Sequence, residues 1–420
     1  YFPGATILKS HDLVNWEYCA NPLQKIAESE PFNLQNGYNQ YSKGQWAPSL
    51  KYYQGKFYLH FIAFNHEKFA DGGDFLLTAT DPEGEWKVQK LNGFYYDSGL
   101  LLDEATGRRF VVAGINEISV TELDKNFNAI GSSKRIINKP NSGLEGSHMY
   151  HIGDYYYIYA TYGGGYDHSQ TIFRSKDPFG PYEEHDGLLF EKQDIHQGGL
   201  VQTQTGEWWT ILFKDAGTIG RIPYLEPVVW KDGWPVIGNN GIDVSKGGKS
   251  YKKPNVGKEY PKTYLPTNDG FNTDKLGMQW EWNHNPDNSA WSLTERPGFL
   301  RLYTSGIVKE GTDTKLNEFL QARNTLTQRM FGYDKEGGST STDTYGTICL
   351  DVSHMKEGDV AGLCVFQDPH AYVAVKMIDG KKRVVYYRAP WWEPKAAWQG
   401  VVDDTEHYRK FDTSTAAHND

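Results

Sequence analysis

These 420 residues predict an all-β protein, a five-bladed β-propeller followed by a β-sandwich, and three observations carry that reading. The first is composition: 13 Trp, 28 Tyr and 20 Phe, alongside 44 Gly and 19 Pro, favour strands and turns over helices. The second is a recurring hairpin, an apolar or aromatic strand, a turn carrying Gly and a second aromatic strand. The third is an acidic turn followed by an aromatic residue, which falls between the hairpins. Four strands per unit of roughly 40 to 50 residues is the pattern of a propeller blade, whose sheet buries its faces only against neighbouring blades. A β-sandwich alone would not explain so regular an interval.

The elements follow in order. The opening segment, YFPGATILKSHDLVNW, carries the acidic turn at Asp12 with no hairpin before it, so the inner strands of the first blade are expected upstream of Tyr1. The hairpins are SLKYYQGKFYLHF, SGLLLDEATGRRFVV, HMYHIGDYYYIYAT and GGLVQTQTGEWWTILF, and their turn glycines Gly55, Gly107, Gly153 and Gly206 lie about fifty residues apart. The outer turns continue at Asp81, Asp124 and Asp177. These units make a propeller over residues 1–245, followed by a linker, 246–267, rich in Gly, Lys and Pro. Its GGKS stretch is not a phosphate loop, because Asp243 stands where the first Gly is needed and no strand precedes it. Residues 268–420 read as a second all-β domain, with short alternating strands such as GTICLDVSH, AGLCVFQD and AYVAVKMI. It ends without obvious closing strands, as if cut.

A net charge of −10 makes nucleic acid or an anionic lipid surface a poor partner, and no apolar run approaches the length of a spanning helix. Cys19, Cys349 and Cys364 are too few and too scattered for a disulfide framework or a zinc cluster and read as buried thiols. Aromatic surplus with acidic charge suits sugar handling, since sugar rings present apolar C–H faces to aromatic rings.

Counting back from each hairpin glycine to the start of the innermost strand gives Trp46, Asp97, Glu145 and His196. Equivalent places on successive blades converge on one end of the central tunnel. Two carboxylates, an imidazole and a Trp at one mouth are what glycosidic bond cleavage needs. One carboxylic acid protonates the departing oxygen, while a carboxylate roughly 6.5 to 9.5 Å away activates water in inverting enzymes. Asp97 could hold the proton on Glu145 by charge repulsion and burial. Each residue also has a plainer reading. Asp97 is a turn former, Glu145 a solvated loop residue, His196 a structural histidine, Trp46 ordinary core and Arg221 a surface arginine. His148 and His151, three apart on a strand, point to opposite faces and do not suggest metal.

On these residues and on the stretches YFPGATILKSHDLVNWEY, GQWAPSLKYYQGKFYL, LEGSHMYHIGDYYYIYA, IHQGGLVQTQTGEWW and GRIPYLEPVVWKDGWPVIG, the sequence resembles glycoside hydrolase family 43. The members concerned have β-xylosidase and α-L-arabinofuranosidase activities, and the tail from MQWEW onward resembles their appended concanavalin-like sandwich. The resemblance implies an inverting mechanism with a general base, a pKa-modulating Asp and a general-acid Glu. By motif, Glu145 would be the acid and Asp97 the modulator, with Trp46, His196, Arg221 and Phe2 in contact with a xylo- or arabino-oligosaccharide. The base Asp of the family lies upstream of YFPG. No cofactor is required; structural calcium is compatible with either domain, though no ligand string identifies it. A signal peptide would precede Tyr1, and a secreted or periplasmic location is preferred to a cytoplasmic one. The rival functions are a carbohydrate-binding propeller that cannot hydrolyse, using Trp46, Trp280, Trp282 and Trp291, and a scaffold for protein partners.

Overall fold

A computed structural model describes residues 4–26, 29–36, 43–64, 72–163, 169–186, 189, 195–215, 220–238, 251–304, 320, 322–330, 345–366, 370–388 and 407–409. Among them the secondary structure is all strand, with no α-helix. Strands β1 (Ile7–Ser10) and β2 (Trp16–Ala20) form a two-stranded sheet. Four antiparallel four-stranded sheets then follow in chain order. The first holds β3 (Gly44–Tyr53), β4 (Lys56–Phe64), β5 (Gly73–Ala79) and β6 (Lys87–Leu91). The second holds β7 (Gly99–Leu102), β8 (Arg109–Ala113), β9 (Glu117–Leu123) and β10 (Lys134–Asn138). The third holds β11 (Leu144–Ile152), β12 (Tyr155–Tyr162), β13 (Ser169–Ser175) and β14 (Glu183–Glu184). The fourth holds β15 (Ile195–Gln202), β16 (Trp208–Asp215), β17 (Arg221–Lys231) and β18 (Trp234–Ile237).

Every sheet is a simple meander, and the four hairpin glycines read from the sequence sit at its first turn with positive φ. At Gln54–Gly55 both turn residues are left-handed, φ 46° and 79°, the two-residue turn whose twist matches that of the flanking strands.

Alternation along the central strands explains how the sheets stack. On β12, Tyr156, Ile158 and Ala160 pack with Phe110, Val112, Ile118 and Val120 of the preceding sheet, while Tyr157 and Tyr159 pack with Leu200, Leu212 and Val228 of the next. On β5, Phe75 and Leu77 face a core with Ile7 and Cys19, and Leu76 faces one with Leu100 and Val111. Both faces of each middle sheet are buried, which is why these strands read as continuous apolar and aromatic runs rather than half-polar ones. Polar links cross between sheets as well. Tyr156 donates to Asp103 Oδ2 at 3.0 Å, His151 Nδ1 lies 2.9 Å from Asp103 Oδ1, and the Leu100 amide donates to Ser49 Oγ at 3.1 Å. The innermost strands β3, β7, β11 and β15 are successive neighbours.

Residues 251–279 carry no strand. Beyond them come the pairs β19 (Trp280–Trp282) with β22 (Leu326–Gln328) and β20 (Trp291–Ser292) with β21 (Arg301–Leu302). A four-stranded sheet closes the described chain: β23 (Val360–Val365), β24 (Ala371–Ile378), β25 (Lys381–Arg388) and β26 (His407–Arg409). The expectation of three buried thiols is corrected here. Cys19 is buried, but Cys349 is exposed in a stretch without strand and Cys364 is half-buried on β23, the edge strand of its sheet.

Candidate active site

One irregularity recurs on the innermost strands. β3 shifts register between Trp46 and Ser49, β11 between Glu145 and His148, and β15 between His196 and Gly199, so two residues oppose one on the partner strand. Such bulges re-aim the side chains beside them. Each contains a left-handed residue: Ala47 at φ 36°, Gly146 at 64° and Gln197 at 46°. Asp97, two residues ahead of β7, is the counterpart in the second sheet at φ 49°. Counting from the hairpins puts Asp97 level with Trp46, Glu145 and His196. By the bulges the level residue is Tyr96, and Asp97 stands one residue further on, at the left-handed position itself.

The three bulges and the matching position at Asp97 bring their side chains together. Gln197 donates through Nε2 to both oxygens of Asp97, at 2.9 and 3.0 Å, and the Gly146 amide donates to the same carboxylate. Tyr96 donates its hydroxyl to Glu145 Oε2 at 3.0 Å. Asp97 is 6% exposed, and burial first, then the charge of Glu145, push its carboxyl up to about 7 against the opposing pull of those donors and of Arg221. Burial, with the charges of Glu145 and Asp97, pushes the Tyr96 phenol far up. A Cβ on Gly163 would come within 2.4 Å of Glu145 Oε1, so the bare backbone there makes room for the carboxyl.

Two flanks complete the site. Trp46 packs edge-on against Phe64 at 4.6 Å, and Phe64 lies 6.1 Å from the Tyr96 ring, giving an aromatic wall that leads to Glu145. On the other side Arg221 Nε donates to Asp215 Oδ1 at 3.1 Å, and His196 Nε2 is 4.0 Å from Asp215 Oδ2. Phe213 carries both, with the His196 ring at 4.7 Å and the Arg221 guanidinium at 4.2 Å. Beyond the bulges, Lys51 Nζ sits 4.6 Å over the Tyr150 ring, whose hydroxyl accepts from the Leu200 amide at 2.8 Å. That contact ties three inner strands together.

Trp46, Asp97, Glu145, His196 and Arg221 therefore belong to one constellation, whereas Phe2 lies outside the described residues. Tyr96, Gln197, Asp215 and Phe64 join them without having been singled out from the sequence. No local signal marks Tyr96 and Gln197, because the bulge register that aims them depends on the partner strand, and hairpin spacing blurs it by a residue. Among the described residues no group of three or more His, Cys, Asp or Glu side chains is gathered as a metal site would require.

Two family descriptions cover most of the chain: "Glycosyl hydrolases family 43" over residues 1–235, and "Beta xylosidase C-terminal Concanavalin A-like domain" over residues 268–390. The chain belongs to glycosyl hydrolases family 43. Its C-terminal part is accordingly the concanavalin-like β-sandwich domain of that family's β-xylosidases. A relative from Formosa agariphila, "Beta-xylosidase", is 31% identical over 96% of this chain and 74% of its own length. "Non-reducing end alpha-L-arabinofuranosidase BoGH43B" of Bacteroides ovatus is 34% identical over 73% of this chain, which spans 60% of that protein. Among solved structures, "Bifunctional GH43-CE" of Bacteroides eggerthii superposes with a TM-score of 0.76 at 32% identity, over 97% of this chain and about half, 49%, of that one.

Proposed function

We propose that the chain is the hydrolytic part of an inverting, exo-acting glycosidase, built on a five-bladed propeller, that removes xylose or arabinose units from xylan- or arabinoxylan-derived oligosaccharides. Glu145 is the general acid, Asp97 the modulator of its proton, and Trp46, His196, Arg221 and Phe2 are substrate contacts. The observation that carries this reading is the meeting of Glu145, at the bulge of β11, with Asp97, at the matching position ahead of β7, where burial first and then the charge of Glu145 raise the Asp97 carboxyl to about 7. Two carboxyl groups in one pocket titrate as a unit and retain a proton well above the usual carboxylate range. The donors from Gln197 and Gly146 pull against that rise on Asp97, and the role assigned to Glu145 is to carry the pair's proton to the substrate. Tyr96 donates to Glu145 Oε2 and so orients the carboxyl that is to present the proton to a glycosidic oxygen. With its oxygens engaged by Gln197 and Gly146, Asp97 is poorly placed to activate water, so its role is electrostatic rather than that of the base. The names of the β-xylosidase and arabinofuranosidase relatives support the pentose assignment.

The binding-module alternative keeps Trp46, while the three tryptophans of the tail are half-buried or buried and engaged with other side chains. Trp282 is buried, Trp280 stacks on Phe271 and donates to Asp269, and Trp291 packs on Trp282. The test is hydrolysis of 4-nitrophenyl β-xyloside and α-L-arabinofuranoside by the full-length protein and its Glu145→Ala variant. A loss of roughly 10²- to 10⁴-fold in kcat is expected. Full activity in the variant would overturn the acid assignment.

A further inference from the structure

Three of the four left-handed positions are held by strand pairing on both sides. Upstream of Ala47, Gln45 pairs with Ala63; upstream of Gly146, Leu144 pairs with Tyr162; upstream of Gln197, Ile195 pairs with Lys214. Asp97 has less support: β7 begins only at Gly99, and upstream a single backbone bond, from the Gly114 amide to the Tyr96 carbonyl at 3.0 Å, ties the chain to its neighbour. A left-handed, non-glycine residue without a ladder is costly to hold in place.

Further support for this segment comes from the neighbouring sheet. His60 on β4 and Asp74 on β5 are 1% and 0% exposed, and His60 Nε2 lies 2.5 Å from Asp74 Oδ1. Because the carboxylate only accepts, Nε2 carries the proton toward it, and Nδ1 faces Ser98 Oγ at 3.0 Å. The second oxygen of Asp74 accepts from the Tyr95 amide at 3.2 Å. One buried pair thus grips the chain immediately before Tyr96 and immediately after Asp97.

We infer that the His60–Asp74 pair, acting through Ser98 and the Tyr95 amide, is a positioning device that sets Tyr96 and Asp97 against Glu145. This rests on the acid and modulator roles proposed above. Neither His60 nor Asp74 touches substrate; their work is to fix two side chains whose distance from Glu145 decides how well it donates its proton. Displacement of catalytic groups by about 1 Å costs up to roughly 100-fold in rate.

The experiment compares Ser98→Ala, His60→Gln, His60→Asn, Asp74→Asn and Glu145→Ala in the full-length protein. Substrates are glycosides with a good leaving group, 2,4-dinitrophenol, and a poor one, 4-methylumbelliferone. His60→Gln keeps a group near Asp74 and releases Ser98, whereas His60→Asn does the reverse. We expect Ser98→Ala and His60→Gln to lose roughly 10- to 100-fold in kcat on the poor leaving group. They should lose much less on the good one, with KM within about twofold and native circular dichroism. Asp74→Asn and His60→Asn should show the same bias wherever they fold. If Glu145→Ala is inactive on the poor leaving group while Ser98→Ala and His60→Gln keep wild-type kcat on both, the positioning role is wrong and the acid assignment stands. If Glu145→Ala is itself fully active, the proposed function fails, whatever the others do.

Discussion

Asp97 is the residue at which fold and chemistry are most closely coupled. Its carboxyl is raised in the folded chain to about 7 from a model-peptide value of 3.8, by burial and then by Glu145. A carboxyl raised on folding binds its proton more tightly in the native state. Its stabilising contribution is therefore complete below about pH 4 and is lost as pH rises through about 7. Asp97→Asn removes that dependence and keeps a residue type that tolerates the left-handed backbone at φ 49°. The variant should melt with the wild type near pH 4 and above it at pH 8, by about 1 to 4 kcal/mol, while losing activity. Parallel melting curves across that range, followed by calorimetry, would show that Asp97 is not the titrating group. Hairpin spacing sufficed to single out Asp97 and Glu145. It did not reveal Gln197, because a glutamine beside a histidine carries no signal until a left-handed turn aims it at a carboxylate a hundred positions away in the chain.

At the level of the element, the bulge is the working unit, and its glycines are there for clearance. Gly198, inside the bulge of β15, would place a Cβ 1.7 Å from the Ile211 carbonyl oxygen, and Gly146 would place one 2.7 Å from Gln197 Cγ while holding φ 64°. The first contact is with backbone and cannot be relieved without opening the β15–β16 pairing; the second is with the side chain that grips Asp97. Gly198→Ala is expected to destabilise by more than the ~1 to 2 kcal/mol of left-handed strain that Gly146→Ala incurs. Gly146→Ala should instead act mainly on kcat by displacing Gln197. Urea unfolding beside steady-state kinetics separates the two, and equal unfolding midpoints for both variants would contradict this account. The hairpins themselves were legible because Gly in a tight turn and aromatics in strands are local signals. The bulges were not, because a bulge is defined by the partner strand.

For the molecule as a whole, the second domain is joined to the first by specific contacts as well as by the chain. Asn285, fully buried, accepts from the Ile26 amide through Oδ1 at 3.1 Å, donates through Nδ2 to Asn33 Oδ1 at 2.9 Å, and sends its own amide to the Phe32 carbonyl at 2.9 Å. Asn285→Ala leaves the Ile26 amide buried and unpaired and should cost about 1 to 3 kcal/mol, read as a lower melting temperature; an unchanged melt would mean that water replaces the contact. Nothing local in NHNPDN announces this role, since an Asn in a turn has many uses. By itself the sequence determined the all-strand class and the fifty-residue period of the hairpins, and it singled out the two acidic residues as candidates, because turn glycines, aromatic strands and charge are written residue by residue. Only the tertiary structure decided that Tyr96 stands over Glu145, that Gln197 and Arg221 attend Asp97, and that a buried histidine from the adjoining sheet grips the segment between them. These are distances between strands remote in sequence, and they exist only once the sheets have packed face to face.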